Sequence, residues 1–260
     1  MVIGTIDSQV TGIKRESCDS SLGDLFGYTA DDVEVEKQIK VVSENKIVLA
    51  LKEYERFLPL SLEERKVNPI KSILNPSEIS AFLSIVPQYA GVDNYYLRTT
   101  LVLSQLIQNS YSAGHNNFNL NFDEFPSMDS YVRITANEDR TAKIKVDGNA
   151  NGFLCAYSSN VIVFVNGNVG SNFAFHGKNI NAVIKGDVGD SFCSESNDVN
   201  AFVGGGYDGI IFGGQNNTIY MGIETIRYRT SECNLISGLE ARNDPLFKQK
   251  IAELKEAFKR

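Results

Sequence analysis

The sequence predicts a mainly β protein: a parallel β-solenoid with 19-residue coils, flanked by an N-terminal α+β region and followed by a C-terminal amphipathic helix. Three observations carry this expectation. Gly148, Gly167, Gly186 and Gly205 stand 19 residues apart, each after a short apolar run, and a fixed period of that length marks a repeat whose coils bury their apolar faces only against one another. Within each repeat, apolar and polar residues alternate as in a strand. Near the end, Phe247, Ile251, Leu254 and Phe258 recur at spacings of 4, 3 and 4, the signature of one helical face.

The elements follow in chain order. Residues 1–30 are rich in Ser, Gly, Asp and Thr and read as an irregular lead-in. Val33, Val35, Ile39 and Val41, then Ile47, Leu49 and Leu51 beyond a Ser43-Glu44-Asn45 turn, predict a hairpin over about 33–54. Asn75-Pro76-Ser77-Glu78 opens a helix over about 76–87 with Ile79, Phe82, Leu83 and Val86 on one face. A second helix over about 93–112 carries Tyr96, Leu97, Thr100, Leu101, Leu103, Leu106 and Ile107, and Gly114 stops it. Residues 1–130 thus form the flanking region, which is placed to cap or flank one end of the solenoid. The solenoid spans 131–240, about five coils, and 241–260 is a helix packed on it.

Aligning the repeat at 19 residues sorts its side chains. The rows Val161, Ile180, Val199, Thr218, then Val163, Ala182, Ala201, Tyr220, then Val165, Ile184, Val203, Gly222 point inward. Leu154, Phe173, Phe192 and Ile211 line a second wall. Asn160, Asn179, Asp198 and Asn217 form a corner ladder, where such side chains bond to the backbone and tolerate left-handed conformations. The glycine columns mark positive φ or an approach too close for a Cβ. Phe164, Val183, Phe202 and Met221 fall on the outside although all are apolar, so this stripe needs a cover. The C-terminal helix is one cover; another copy or partner chain is the other, which makes these four residues the partner-binding candidates.

The turn and strand sequences VNGNVGSNF from Val165, IKGDVGDSF from Ile184 and the looser GGGYDGIIF from Gly204 resemble the glycine-repeat (GXGXG) domain. That domain closes the large chain of glutamate synthase and makes up much of one of the component chains of formylmethanofuran dehydrogenase. The resemblance covers about residues 142–226. It implies a right-handed β-helix that acts as scaffolding between catalytic domains and holds no cofactor. The second half of each coil, FHGKNINAVI and SESNDVNAFV, departs from the family in being poorer in glycine.

Composition bounds the function. The 260 residues are 42% hydrophobic and 22% charged with net charge -7, which disfavours nucleic acid and anionic membrane as partners. No basic leader opens the chain and no run of 18 apolar residues occurs, so the cytoplasm is the expected compartment. Cys18, Cys155, Cys193 and Cys233 are widely spaced, and Cys155 and Cys193 fall two coils apart, beyond disulfide reach. No metal or cofactor is expected.

The search for catalysis yields little. His176 follows Tyr157 and precedes Glu195 in one column, so imidazole and carboxylate are neighbours suited to acid/base work; with Asp198 they are the weak catalytic candidates. Asp187, Asp190 and Asp208 add local acidity that solvated turns explain as well as calcium or glycan binding. Three functions remain open: a non-catalytic scaffold binding a protein partner or itself, a carbohydrate-active or other hydrolytic enzyme with an acidic site near His176, and a ligand-binding α+β domain supported by the solenoid.

Overall fold

A computed structural model describes residues 46–60, 69–92, 95–123, 131–206 and 214–221, the backbone of 210–211, 228–229 and 233–237, and helical positions at 245, 248, 249, 252 and 256. The first described helix, α1 (46–57), buries Ile47, Ala50, Tyr54 and Phe57 at helical spacing, with Leu58 just after it. This corrects the second strand of the expected hairpin, because Leu49 of its alternating set is exposed. The alternation of Ile47, Leu49 and Leu51 is outweighed by packing that fits the helical set, in which the Tyr54 ring meets Phe82 and Tyr89 edge to face at 5.7 and 5.3 Å. The first strand of that hairpin and the lead-in lie outside the described residues.

Helix α2 (Pro76–Ile85) begins where the sequence predicts, on a full capping box: Asn75 Oδ1 accepts from the Glu78 amide at 2.9 Å, and Glu78 Oε2 accepts from the Asn75 amide at 2.7 Å. A 3-10 turn, Val86–Tyr89, follows. Helix α3 (Tyr95–Ser112) buries Val102, Leu103, Leu106 and Ile107, whereas Tyr96 and Leu97 are exposed rather than part of the apolar face. It ends in a Schellman motif, with the Gly114 amide donating to Tyr111 O and the His115 amide to Ser110 O, and Gly114 at φ 108.

The rest is a β-solenoid of about four turns. Its main wall orders β1 (Asn117–Asn121), β2 (Ala142–Asp147), β4 (Ser159–Val165), β6 (Lys178–Ile184), β7 (Asn197–Val203), β9 (Asn217–Met221) and β11 (Cys233–Ser237) in one parallel sheet. Short parallel pairs form elsewhere in the coils, β3 (Ala150–Gly152) with β5 (Val169–Ser171) and β8 (Ile210–Ile211) with β10 (Tyr228–Arg229). The step is 19 residues from β2 through β7, as in Ile144↔Val163, Val163↔Ala182 and Ala182↔Ala201. It is 18 from β7 to β9, where Ala201 pairs with Ile219, and 16 from β9 to β11, where Asn217 pairs with Cys233. The strict period therefore covers fewer turns than five.

That one-residue contraction corrects four sequence assignments. Thr218 pairs with Asn200 and leaves the inward row, where Ile219 is buried instead. Met221 pairs with Val203 and lies inside the core, while Tyr220 pairs with Phe202 and takes the outward place. Asn216, not Asn217, continues the corner ladder: its Nδ2 donates to Asp198 Oδ1 at 3.2 Å, and it shares the positive φ of Asn160, Asn179 and Asp198. Asn217 turns inward and mends the shortened coil. Its Oδ1 accepts from the Val199 amide at 3.0 Å, and its Nδ2 reaches Ser196 Oγ at 3.0 Å, so the Val199 amide and the buried Asn217 side chain are both paired.

The glycine columns exist for closeness more than for φ. Of Gly148, Gly167, Gly186 and Gly205, only Gly148 has positive φ, at 96. A Cβ on Gly167 would stand 2.8 Å from the carbonyl carbon of Gly148, and one on Gly205 would stand 2.6 Å from that of Gly186. Positive φ lies instead in the opposite wall, in columns 19 residues apart: Phe153, Asn172 and Ser191; Cys155, Ala174 and Cys193; Tyr157, His176 and Glu195. Alternate left-handed residues there are tied coil to coil, as by the Tyr157 amide to Phe175 O at 2.8 Å and the Ala174 amide to Leu154 O at 2.9 Å.

The helices close the first end of this stack. Ser80 of α2 donates to Asn119 O of β1 at 2.8 Å. On α3, Ser104 and Gln108 receive the amides of Arg133 and Thr135, and Tyr111 Oη receives that of Asn137. Backbone groups that an open solenoid end would expose are thereby paired, and the core runs without a break from Ala50 in α1 to Met221 in β9.

Candidate functional site

The outer face of the main sheet is the first candidate. Each strand places one side chain in an outward row, and pairing brings Phe164, Val183, Phe202 and Tyr220 into line, with Lys145 before them and Ile236 of β11 next in register. The Phe202 and Tyr220 rings stack nearly parallel at 4.9 Å. Val183, Phe202 and Tyr220 retain only 6%, 2% and 4% of their exposure, in a cluster separate from the main core, with Ile162 and Phe164 partly buried beside them. Lys185 Nζ lies 5.4 Å from the Phe164 ring centre and is held by Asn166 Oδ1 at 2.6 Å, a cation at the rim of an apolar strip. Three of the four predicted stripe residues are thus together; the fourth, Met221, is internal. Tyr220 could have been found by testing Asn216 as well as Asn217 in the corner ladder.

The second candidate is the column Tyr157, His176 and Glu195. His176 Nε2 lies 3.2 Å from Glu195 Oε2, as the repeat register predicts, and the imidazole stacks on Tyr157 at 5.1 Å with Phe175 at its edge. Both partners are open to water, with 38% and 60% of their side chains exposed. Such a pair is worth little in stability. Asp198 does not complete an acid/base trio, because its carboxylate instead receives Asn216. Gly214, 19 residues beyond Glu195, is buried against the Ser196 backbone.

The remaining sequence candidates have structural work. Asn149 Oδ1 receives the Asn168 amide, Asn168 Oδ1 the Asp187 amide, and Asp187 Oδ1 the Gly206 amide, at 2.8, 2.8 and 2.7 Å. This turn ladder was readable as a 19-residue column of Asn, Asn and Asp. In the corner ladder Asn179 Nδ2 donates to Asn160 Oδ1 at 2.7 Å, and Asn160 Nδ2 donates to Ala136 O at 2.7 Å. Cys155 and Cys193 are free and buried, and burial pushes the Cys155 thiol up to about 12, which removes the thiolate needed for reactivity. Among the described residues no group of three or more His, Cys, Asp or Glu is placed to hold a metal ion, and no helix is long and apolar enough to cross a membrane. Asp208, Cys18 and the side chain of Cys233 lie outside the described residues.

In the helical cap, Tyr54 Oη donates to Thr99 Oγ1 at 2.7 Å, since that hydroxyl itself donates to Tyr95 O. Burial raises the Tyr54 phenol to about 12; burial and then Glu55, which accepts from Tyr89 Oη at 2.7 Å, raise Tyr89 to about 12. No family model, no curated protein and no solved structure matches this chain.

Proposed function

We propose that the chain is a non-catalytic scaffold or assembly module that binds a protein partner, or a second copy of itself, through the solenoid wall. One observation supports this reading: the main sheet carries an apolar row on its outer face as well as apolar rows on its inner one. A sheet with one solvated face alternates apolar-in and polar-out, and the core needs only the inward rows Val161–Val163–Val165 and their equivalents. The outward row of Phe164, Val183, Phe202 and Tyr220 is a second apolar surface, suited to receive another element. The glycine-rich turns, read as those of a right-handed glycine-repeat scaffold, fit the same role, and right-handed crossovers are the rule for parallel strands.

The test is the hydrodynamic mass of the purified chain and of its complexes, with and without Phe164→Asp. Phe164 is only partly buried, so the variant should fold. The expected result is a defined oligomer, or a stable complex with a protein partner, that Phe164→Asp dissociates. A chain that stays monomeric and holds no partner at micromolar concentration sinks the proposal.

A further inference from the structure

A single row of side chains on the outside of a sheet cannot bury itself. Each member touches the residues above and below it, about 4.8 Å away, but its tip and flanks stay open to water. Val183, Phe202 and Tyr220 are nevertheless as buried as the core. The cover therefore belongs to the chain itself.

The C-terminal helix carries the matching half. Its described residues, Pro245, Lys248, Gln249, Ala252 and Glu256, are helical and all exposed. At about 100° per residue they fall on one side of the helix, and the sequence spacing of 4, 3 and 4 assigns Phe247, Ile251, Leu254 and Phe258 to the opposite side of such a helix. Length agrees as well. Phe247 to Phe258 spans about 16 Å at 1.5 Å per residue, and the row from Phe164 to Tyr220 crosses four strands, about 14 Å.

We propose that this helix lies along the outer row of its own chain, across the strands, with Phe247, Ile251, Leu254 and Phe258 against Phe164, Val183, Phe202 and Tyr220. The inference deepens the docking reading, and rests on it in one respect: where the wall serves a partner, the helix is the occupant that the partner displaces or extends. In the lone chain the row is then closed.

Two measurements on the full-length chain test the assignment. Leu254→Asp on the inner side and Ala252→Asp on the exposed side alter helix propensity alike, so they separate packing from helix formation. With circular dichroism confirming that both fold, Leu254→Asp is expected to raise the fluorescence of an apolar-surface dye such as anilinonaphthalene sulfonate several-fold, and Ala252→Asp to leave it unchanged. Equal responses, or none, overturn the proposal. In the second measurement benzoylphenylalanine replaces Tyr220 and is photo-activated. The expected product has the mass of one chain, with the link mapped within 244–260. A link to any other segment, or a product of doubled mass, overturns it. A chain that shows this intramolecular link yet binds no partner defeats the docking reading while leaving the helix in place.

Discussion

The helical cap and the solenoid share one core but hold it by different means. In α1, α2 and α3, stability comes from side chains of unlike size fitted together, as where Tyr54 sits between Phe82, Tyr89 and Thr99. In the coils it comes from like residues stacked on like: Phe173 on Phe192 at 4.9 Å, and Asn200 on Asn181 at 3.3 Å. The cap is therefore tolerant of backbone detail and sensitive to side-chain volume. The coils are the reverse, since their backbones approach so closely that a single added carbon meets main chain. The contrast teaches where a mutation will matter, and the glycines state it most sharply: an added Cβ at Gly91 in the cap meets nothing within 4 Å, while one at Gly189 lies 2.8 Å from the Gly170 carbonyl carbon.

The largest expected effect follows from that difference. Gly170→Ala drives its Cβ into the Asn151 backbone, which cannot give way without opening the coil, so a loss above about 4 kcal/mol or failure to fold is expected in thermal unfolding. A loss below about 1 kcal/mol would break the claim of backbone closeness.

The cap should instead announce itself through pH. The folded Tyr54 phenol titrates at about 12 against 10.0 for the free side chain. Its neutral form is thus favoured by folding, and that stability is complete below pH 10 and lost as pH rises from 10 to 12, where the unfolded chain has given up a proton that the folded chain keeps. Two pH units correspond to about 3 kcal/mol. Urea unfolding at pH 9 and pH 12 should show a decline of that order, with Tyr89 adding to it in the same direction. Tyr54→Phe should flatten the decline by its share.

Asn217→Ala comes next, because it leaves the buried Val199 amide without its acceptor; a loss of about 2 kcal/mol is expected in the same assay. Should the variant match the parent, the account of the shortened coil fails. At the small end, Glu195→Gln removes only the exposed partner of His176 and should move stability by less than about 0.5 kcal/mol. Gly91→Ala should be neutral or stabilising by up to about 0.5 kcal/mol, the opposite extreme from Gly170→Ala.

Much of the solenoid was legible because its coils obey one rule. Stacked backbones force equivalent residues into equivalent surroundings, so Val161, Val163 and Val165 predict the burial of Ile180, Ala182 and Ile184 by counting alone. Counting fails where a coil loses a residue. The step from β7 to β9 moved Met221 inward and Tyr220 outward, and the one sign of it was a choice between Asn216 and Asn217 for the corner. In the cap, the Asn75 box and the Gly114 stop were legible as local chemistry, while α1 was not, since its residues fit a strand alternation equally well until Tyr54 finds its partners. Of the sites, the His176–Glu195 pair was legible from the register and the exposure of both groups was not.

What the sequence determined by itself is the coil length, the inward rows over 142–203, the corner ladder from Asn160 to Asp198, the start of α2 and the stop of α3. These depend on neighbours in the chain or one period away. What tertiary structure alone decided is the helical state of α1, the slip at Asn216–Asn217, the left-handed backbone at Phe153, Cys155 and Tyr157, and the burial of the outer row. Each depends on contacts between segments that no local pattern announces, and the free energy of such contacts exceeds the small local preferences that a sequence displays.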